Sequence, residues 1–293
     1  DGSARARARP ARNGGSVHMK QLKYINSQGE TVDFREFDTQ VFKAAFHDYE
    51  WEYDATSQRH GISISQFTKK ELKYEMTVAV RGRNKGEKLN KITDVTEYDV
   101  INNAQGKLYW GDYYINCNII SSGVSPSDEF FGAEKKMEIM APYPFWIRET
   151  SKSFYKDSPA EEAAGAFLDY SYNYAYDYSR PSSGSTDWNV NHYAPSEFKM
   201  IVYGPCVNPR ILINGYPYMF YDSVETGEYV VIDSQNNSIL KYRTNGTVAD
   251  LYDLRGKDKS VFEPIPGGNL AINWPGTFGF DITLYIERSE PRW

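Results

Sequence analysis

The sequence predicts a mainly β protein of two domains: an N-terminal β-domain carrying one helix, and a C-terminal β-sandwich without helices. Three observations predict it. Apolar and polar residues alternate with period two in several runs, which is the signature of a strand with one wet face. A single stretch, in residues 86–103, has a helical period instead. From Phe198 onward, short apolar runs return at roughly ten-residue spacing between Gly, Pro and Asn turns, as in sandwiches and barrels. The chain has 24 Tyr, 15 Phe and 6 Trp, which suits half-buried pleated surfaces and interfaces.

In chain order, residues 1–18 hold the one basic cluster, Arg5, Arg7, Arg9 and Arg12, spaced by Ala and Pro. They read as a disordered or non-native leader before Met19, with no core pattern and no signal peptide after it. The whole chain carries −6, and −9 without those residues, because four Arg and one Asp leave. Such a balance argues against nucleic acid as a binding partner.

Residues 19–150 read as the first domain. QLKYINSQGETVDF makes two short strands around Ser27-Gln28-Gly29, followed by strand signals in WEY and GISISQF. In ELKYEMTVAVRG, Leu72, Tyr74, Met76, Val78 and Val80 alternate with Lys73, Glu75, Thr77 and Ala79. Leu89, Ile92, Val95 and Tyr98 then recur every third residue, predicting an amphipathic helix that ends near Asn102-Asn103. GKLYWG, DYYINCNIISSG and EKKMEIMAP are strands, and Pro142 and Pro144 forbid a central strand beyond them.

Residues 151–168 read as a linker and 169–293 as the sandwich. Tyr170, Tyr172, Tyr174, Tyr176 and Tyr178 alternate and make either a strand with every ring on one face or a disordered tether. VYGPCVNPRILING, residues 202–215, reads as strand, corner, strand and tight turn. Pro205 and Pro209 lack amide donors, and Asn214-Gly215 tolerates the positive φ of a two-residue hairpin. EYVVIDS, SILKYR, LAINW and FDITLYIERS complete the series, the last with Phe280, Ile282, Leu284 and Ile286 on one face.

No chemistry is written into the sequence. Four scattered His and two Cys have no metal-ligand spacing, and neither a GxSxG elbow nor a Gly-rich phosphate loop occurs. Asp233, Asp281 and Glu287 sit on strands where a solvated sheet face explains them. Cys117 and Cys206 read as buried thiols of a protein made in a reducing cytoplasm. No run approaches the ~18 apolar residues of a membrane span. The expectation is no enzyme, no cofactor, no metal and no catalytic residue. Trp188, Trp274, Asn273 and Tyr285 form a candidate glycan platform, against the alternative that Trp274 faces the core with Leu270 and Ile272.

Several stretches resemble the distal tail proteins of long-tailed bacteriophages, a phage tail family of siphovirus-type tail components. YINSQGETVDF with WEY and GISIS resembles that family's opening, and MEIMAPYPFWIRE the segment that closes its first domain. DYSYNYAYDYS, VYGPCVNPRILING, GEYVVID, SVFEPIPGGN and IERSEPRW resemble its second half. The resemblance implies a tail-tube-like belt domain that assembles into a homohexameric ring, and a galectin- or carbohydrate-module-like sandwich outside it. It implies a virion protein joining the tail tube protein to the baseplate or tail-tip hub, with DNA passing only through the ring channel. Receptor-binding protein or host surface glycan are further implied partners, though no long inserted arm is present in the sandwich. The ring is expected to close by strand pairing through ELKYEMTVAV and EKKMEIM. Lys73, Glu75, Thr77, Lys135 and Glu138 are then its candidate interface residues; the alternative is a solvated face. A carbohydrate-binding module aiding adsorption is the alternative function.

Overall fold

Residues 21–36, 39–127, 132–156 and 184–292 are described by a computed structural model, in which the chain divides into two units, Asp1–Tyr143 and Pro144–Trp293. The Arg cluster and the Tyr170–Tyr178 run lie outside the described residues.

The first unit runs β1 (Leu22–Ile25), β2 (Thr31–Asp33), β3 (Thr39–Ala44), β4 (Glu52–Ser57), β5 (Ile62–Thr68) and β6 (Leu72–Val80). Then come α1 (Lys85–Ile101), β7 (Gly106–Trp110), β8 (Tyr113–Ser127) and β9 (Gly132–Ala141). Strand β8 organises it. Its first part pairs with β7, from Tyr113 to Cys117, and its second with β9, from Asn118 onward, with a bulge between Ile119 and Ser121. A bulge bends the strand and lets one chain serve two ladders. The order is β2-β1-β7-β8-β9-β6-β3, and every ladder is antiparallel. The period-two run of β6 buries Tyr74, Met76, Val78 and Val80, but the face expected to be wet closes as well after Glu75, with Thr77 and Ala79 buried; Phe46 packs edge-on against Tyr74 at 5.6 Å.

The helix lies where its period put it, but its buried face is rotated from the expected one. Ile92, Val95, Thr96 and Asp99 are buried, an i, i+3, i+4, i+7 stripe, while Leu89 and Tyr98 are only partly covered. The cause is Asp99. Its carboxylate accepts from the Tyr24 hydroxyl at 2.6 Å and from the Ser27 amide and hydroxyl at 2.8 and 2.6 Å. A buried carboxylate with three donors is satisfied, so it takes the core side and Tyr98 turns out to Gln28. At the C-terminus Asn102 donates to the Tyr98 carbonyl at 2.8 Å, and Asn103 takes the left-handed φ of 51° that ends helices.

The second unit runs β10 (Trp146–Phe154), β11 (Gly184–Val190), β12 (Glu197–Tyr203), β13 (Cys206–Val207), β14 (Arg210–Ile213), β15 (Tyr216–Met219) and β16 (Ser223–Val224). It continues with β17 (Tyr229–Asp233), β18 (Ser238–Tyr242), β19 (Val248–Asp250), β20 (Gly268–Trp274) and β21 (Phe280–Arg288). One sheet has the order β19-β18-β17-β12-β21-β10 and the other β11-β20-β14-β15. Phe280, Ile282, Leu284 and Ile286 face the core, as their alternation predicts, together with Phe198, Met200, Ile211, Ile213, Leu270 and Ile272. The Asn214-Gly215 turn has φ of 49° and 79° and joins β14 to β15, with Ile213 opposite Tyr216. A small β13–β16 pair carries the corner, and the buried Lys241 ammonium reaches Asp222 at 3.0 Å and Glu228 at 3.2 Å beside it.

One boundary moves. Residues 146–154 were assigned by sequence to the end of the first domain and the start of a linker. They form β10, which pairs with β21 at nine successive positions and delivers Phe154 to the sandwich core. Pro142 and Pro144 do stop β9, but a new strand starts two residues after Pro144.

Candidate functional site

Among the described residues no group of three or more His, Cys, Asp or Glu could hold a metal ion. Burial pushes the Cys117 thiol up to about 12 and the Cys206 thiol up to about 11, which makes both poor nucleophiles. No helix among the described residues is long and apolar enough to cross a membrane. The surfaces, not a cleft, carry the interest.

The predicted ring-interface residues separate into two groups. On the outer face of β6 and β9, Glu75 stands opposite Glu138, Thr77 opposite Lys136, and Lys73 opposite Met140. Lys43 of β3 answers Glu75 at 3.2 Å, and both line a groove of about 480 Å³ with Thr77, Ser121, Glu134, Lys136 and Glu138, while Lys73 lies outside it. Lys135 does not belong there. It is 2 % exposed, points to the other side of β9, and donates to Thr93 Oγ1 of α1 at 2.8 Å. Burial lowers its pKa from the usual lysine value. The strands themselves also differ from expectation. β9 lies between β6 and β8 and has no free edge, and β6 is flanked by β9 along its length and by β3 from Met76 to Val80, so only residues 72–75 keep an open side. The edges of this sheet are β2 and β3.

A second surface was legible as strands but not as a site. β4 and β5 form a hairpin that pairs with no other strand, and all its described residues but the last are exposed. Cross-strand partners share a face, so Tyr53 with Phe67, Ala55 with Ile64 and Ser57 with Ile62 make one apolar side. Phe67, Tyr53 and Ile62 are 59 %, 55 % and 54 % exposed. At its base Lys70 meets Glu52 at 2.6 Å, and the Lys69 ammonium lies 5.4 and 5.5 Å from the rings of Tyr49 and Trp51. Burial pushes Lys69 down to about 8. The sequence holds no signal for this exposure: Ile62, Ile64 and Phe67 are spaced with Ser and Gln as they would be in a covered strand, and ELKYEMTVAV follows at once.

The candidate glycan residues do not converge. Trp188 and Trp274 are each 8 % exposed and pack on Phe154, with ring centroids 6.2 and 5.9 Å away. Trp274 donates its indole N–H to the Phe278 carbonyl at 3.1 Å. Asn273, on the other side of β20, is half-buried opposite Ser185 and Leu212. Tyr285 is in the other sheet, on its outer face between Glu149 and Glu197.

Solved structures match along nearly the whole chain. SPP1 Dit, described as a paradigm of the hub adsorption apparatus of phages infecting Gram-positive hosts, superposes with a TM-score of 0.59 at 9 % identity, over 91 % of this chain and 99 % of that one. The chain has the Dit fold. Chains of the phage P2 baseplate in its activated conformation match as well. With Ca the TM-score is 0.56 and with Sr 0.58, both at 11 % identity over 93 % of this chain and 99 % of the other. No protein-family model and no curated protein matches the sequence. A Dit fold shared at such identity is carried by topology, with both units in the same chain.

Proposed function

We propose that the chain is a structural component of a phage tail, a distal tail protein whose first unit closes into a hexameric ring between the tail tube and the baseplate or tail-tip hub. The supporting observation is the Dit fold over 91 % of this chain and 99 % of SPP1 Dit, which spans both units. In this reading the protein works by geometry, without catalysis, as a virion part through whose ring DNA passes. A heterologous contact repeated by a closing rotation makes a ring.

The hairpin β4–β5 supports the ring reading. A lone two-stranded hairpin is marginal in water, and one apolar side left exposed marks a contact surface. Seated on the next copy, it would bury Tyr53, Ile64 and Phe67, while the free edge of β3 offers unpaired backbone groups for a neighbour's strand. The charged face of β6 and β9 then contributes the side chains of Lys73, Glu75 and Glu138, while Thr77, 5 % exposed, stays covered within the chain. Lys135 supports its own helix contact instead.

The test is mass in solution, alone and with the neighbouring tail proteins. The expected species is six times the 33.6 kDa chain, and Phe67→Ser with Ile64→Ser should return it to monomer while leaving circular dichroism unchanged. A wild-type chain that stays monomeric at high concentration and beside its tail partners would sink the ring.

A further inference from the structure

The outer face of the sandwich's larger sheet carries two apolar rows where a solvated face would be polar. Cross-strand register puts Tyr203, Tyr229 and Tyr242 in one row on β12, β17 and β18, ending at Val248 of β19. The next row reads Asp250, Leu240, Val231, Ile201, Asp281 across five adjacent strands. Tyr203, Tyr229 and Val248 are 39 %, 36 % and 53 % exposed.

Tyr229 and Tyr242 stack with centroids 4.9 Å apart and planes 10° apart, so each covers a face of the other. Tyr203 is tilted 6.5 Å from Tyr229 and donates its hydroxyl to Asp281 at 2.7 Å. A sugar needs a free ring face, and the stack takes one face of Tyr229 and one of Tyr242. A Tyr row beside an aliphatic row is the composition of protein-recognition surfaces.

Charge selects the partner. Asp250 and Asp281 bracket the aliphatic row at its two ends, about 19 Å apart from four interstrand spacings. In the row beyond, Asp233 is opposite Lys199 and the two cancel; exposed Arg243 lies past the end of β18. Each bracketing carboxylate accepts one internal hydrogen bond, from the Tyr203 hydroxyl or the Tyr252 amide, and keeps acceptor capacity. We infer that this face docks a protein segment with an apolar centre and a cationic side chain at each end. This goes beyond the ring reading, because it lies on the other unit and does not depend on ring closure.

The experiment pans a random peptide-display library against the full chain and measures the enriched peptides by titration. Expected are peptides with Leu, Ile or aromatic residues between two Lys or Arg, whose binding weakens with salt. Tyr229→Ala should weaken them at least tenfold. Asp250→Asn and Asp281→Asn should each weaken them several-fold and flatten the salt dependence, and these two leave the apolar rows intact should the Tyr229 variant misfold. Enrichment of acidic or uncharged peptides would overturn the inference, as would affinity unmoved by the two Asp variants. So would cell-wall polysaccharide or a second copy of the chain binding through Tyr229 in place of such peptides. The Phe67→Ser, Ile64→Ser chain should bind the peptides as the wild type does, which separates this face from the ring.

Discussion

Asp99 shows how one side chain reorients an element. Its three donors come from Tyr24 and Ser27, so it stitches the end of α1 to the β1–β2 hairpin. Asp99→Ala leaves the buried Tyr24 hydroxyl without its acceptor, while the exposed Ser27 turns to water, and should cost about 2–3 kcal/mol in urea unfolding. Asp99→Asn, which keeps an acceptor, should cost less. Gly106→Ala should act at the same place, because a Cβ there would overlap the Tyr24 hydroxyl and the Asp99 carboxylate. Lys135 gives the pH signature of this unit. Burial holds its folded-state pKa below the usual 10.5, so between the two values the unfolded chain binds more protons than the folded one. Stability from this group therefore rises with pH through that window. Lys135→Met keeps the aliphatic reach toward Thr93 and removes the charge. It should raise the urea midpoint at neutral pH and abolish this part of the slope; an unchanged slope would show that the ammonium is solvated.

At the scale of elements, the legible features were those set by local chemistry. The alternation of β21 states which side chains face the core, and the Asn214-Gly215 turn states where β14 meets β15; in β6 the alternation holds only to Glu75, because Thr77 and Ala79 are buried too. Replacing Asn214-Gly215 by Ala-Ala puts Cβ-bearing Ala residues, without the Asn tolerance, at φ of 49° and 79°. That should cost about 1–2 kcal/mol and slow folding of the sandwich, read by denaturant-jump kinetics. What could not be read was anything fixed by pairing at a distance. EKKMEIM looks like a charged strand with a wet face, yet its register against β6 and β8 gives Lys135 to α1 and makes β9 an interior strand. Trp274 shares its side of β20 with Leu270 and Ile272, which was readable. That Trp188 joins it on Phe154 was not, because Phe154 lies on a strand that sequence assigned to a linker. The exposed side of the β4–β5 hairpin was likewise invisible, since alternation reports two faces without saying that neither is covered.

For the whole molecule, the division between units is the point where sequence and structure part, and it can be tested directly. Composition puts the boundary after Thr150 and the start of the sandwich at Asp169, because a polar, small-residue stretch begins near Pro159. The contacts put it between Tyr143 and Pro144. The difference is β10. Without it, β21 loses a nine-position antiparallel partner and exposes an apolar edge. The core loses Phe154, which stacks on Phe280 at 4.6 Å and packs against both Trp188 and Trp274. Removal of a buried Phe side chain alone costs about 3–5 kcal/mol, a large part of the roughly 5–15 kcal/mol that holds a domain folded. Residues 144–293 expressed alone should therefore unfold cooperatively in urea with coincident tryptophan fluorescence and circular dichroism. Residues 169–293 should show no cooperative transition, or aggregate through the bare β21 edge. Equal stability of the two fragments would mean that β10 decorates the sandwich and that the compositional boundary is the physical one.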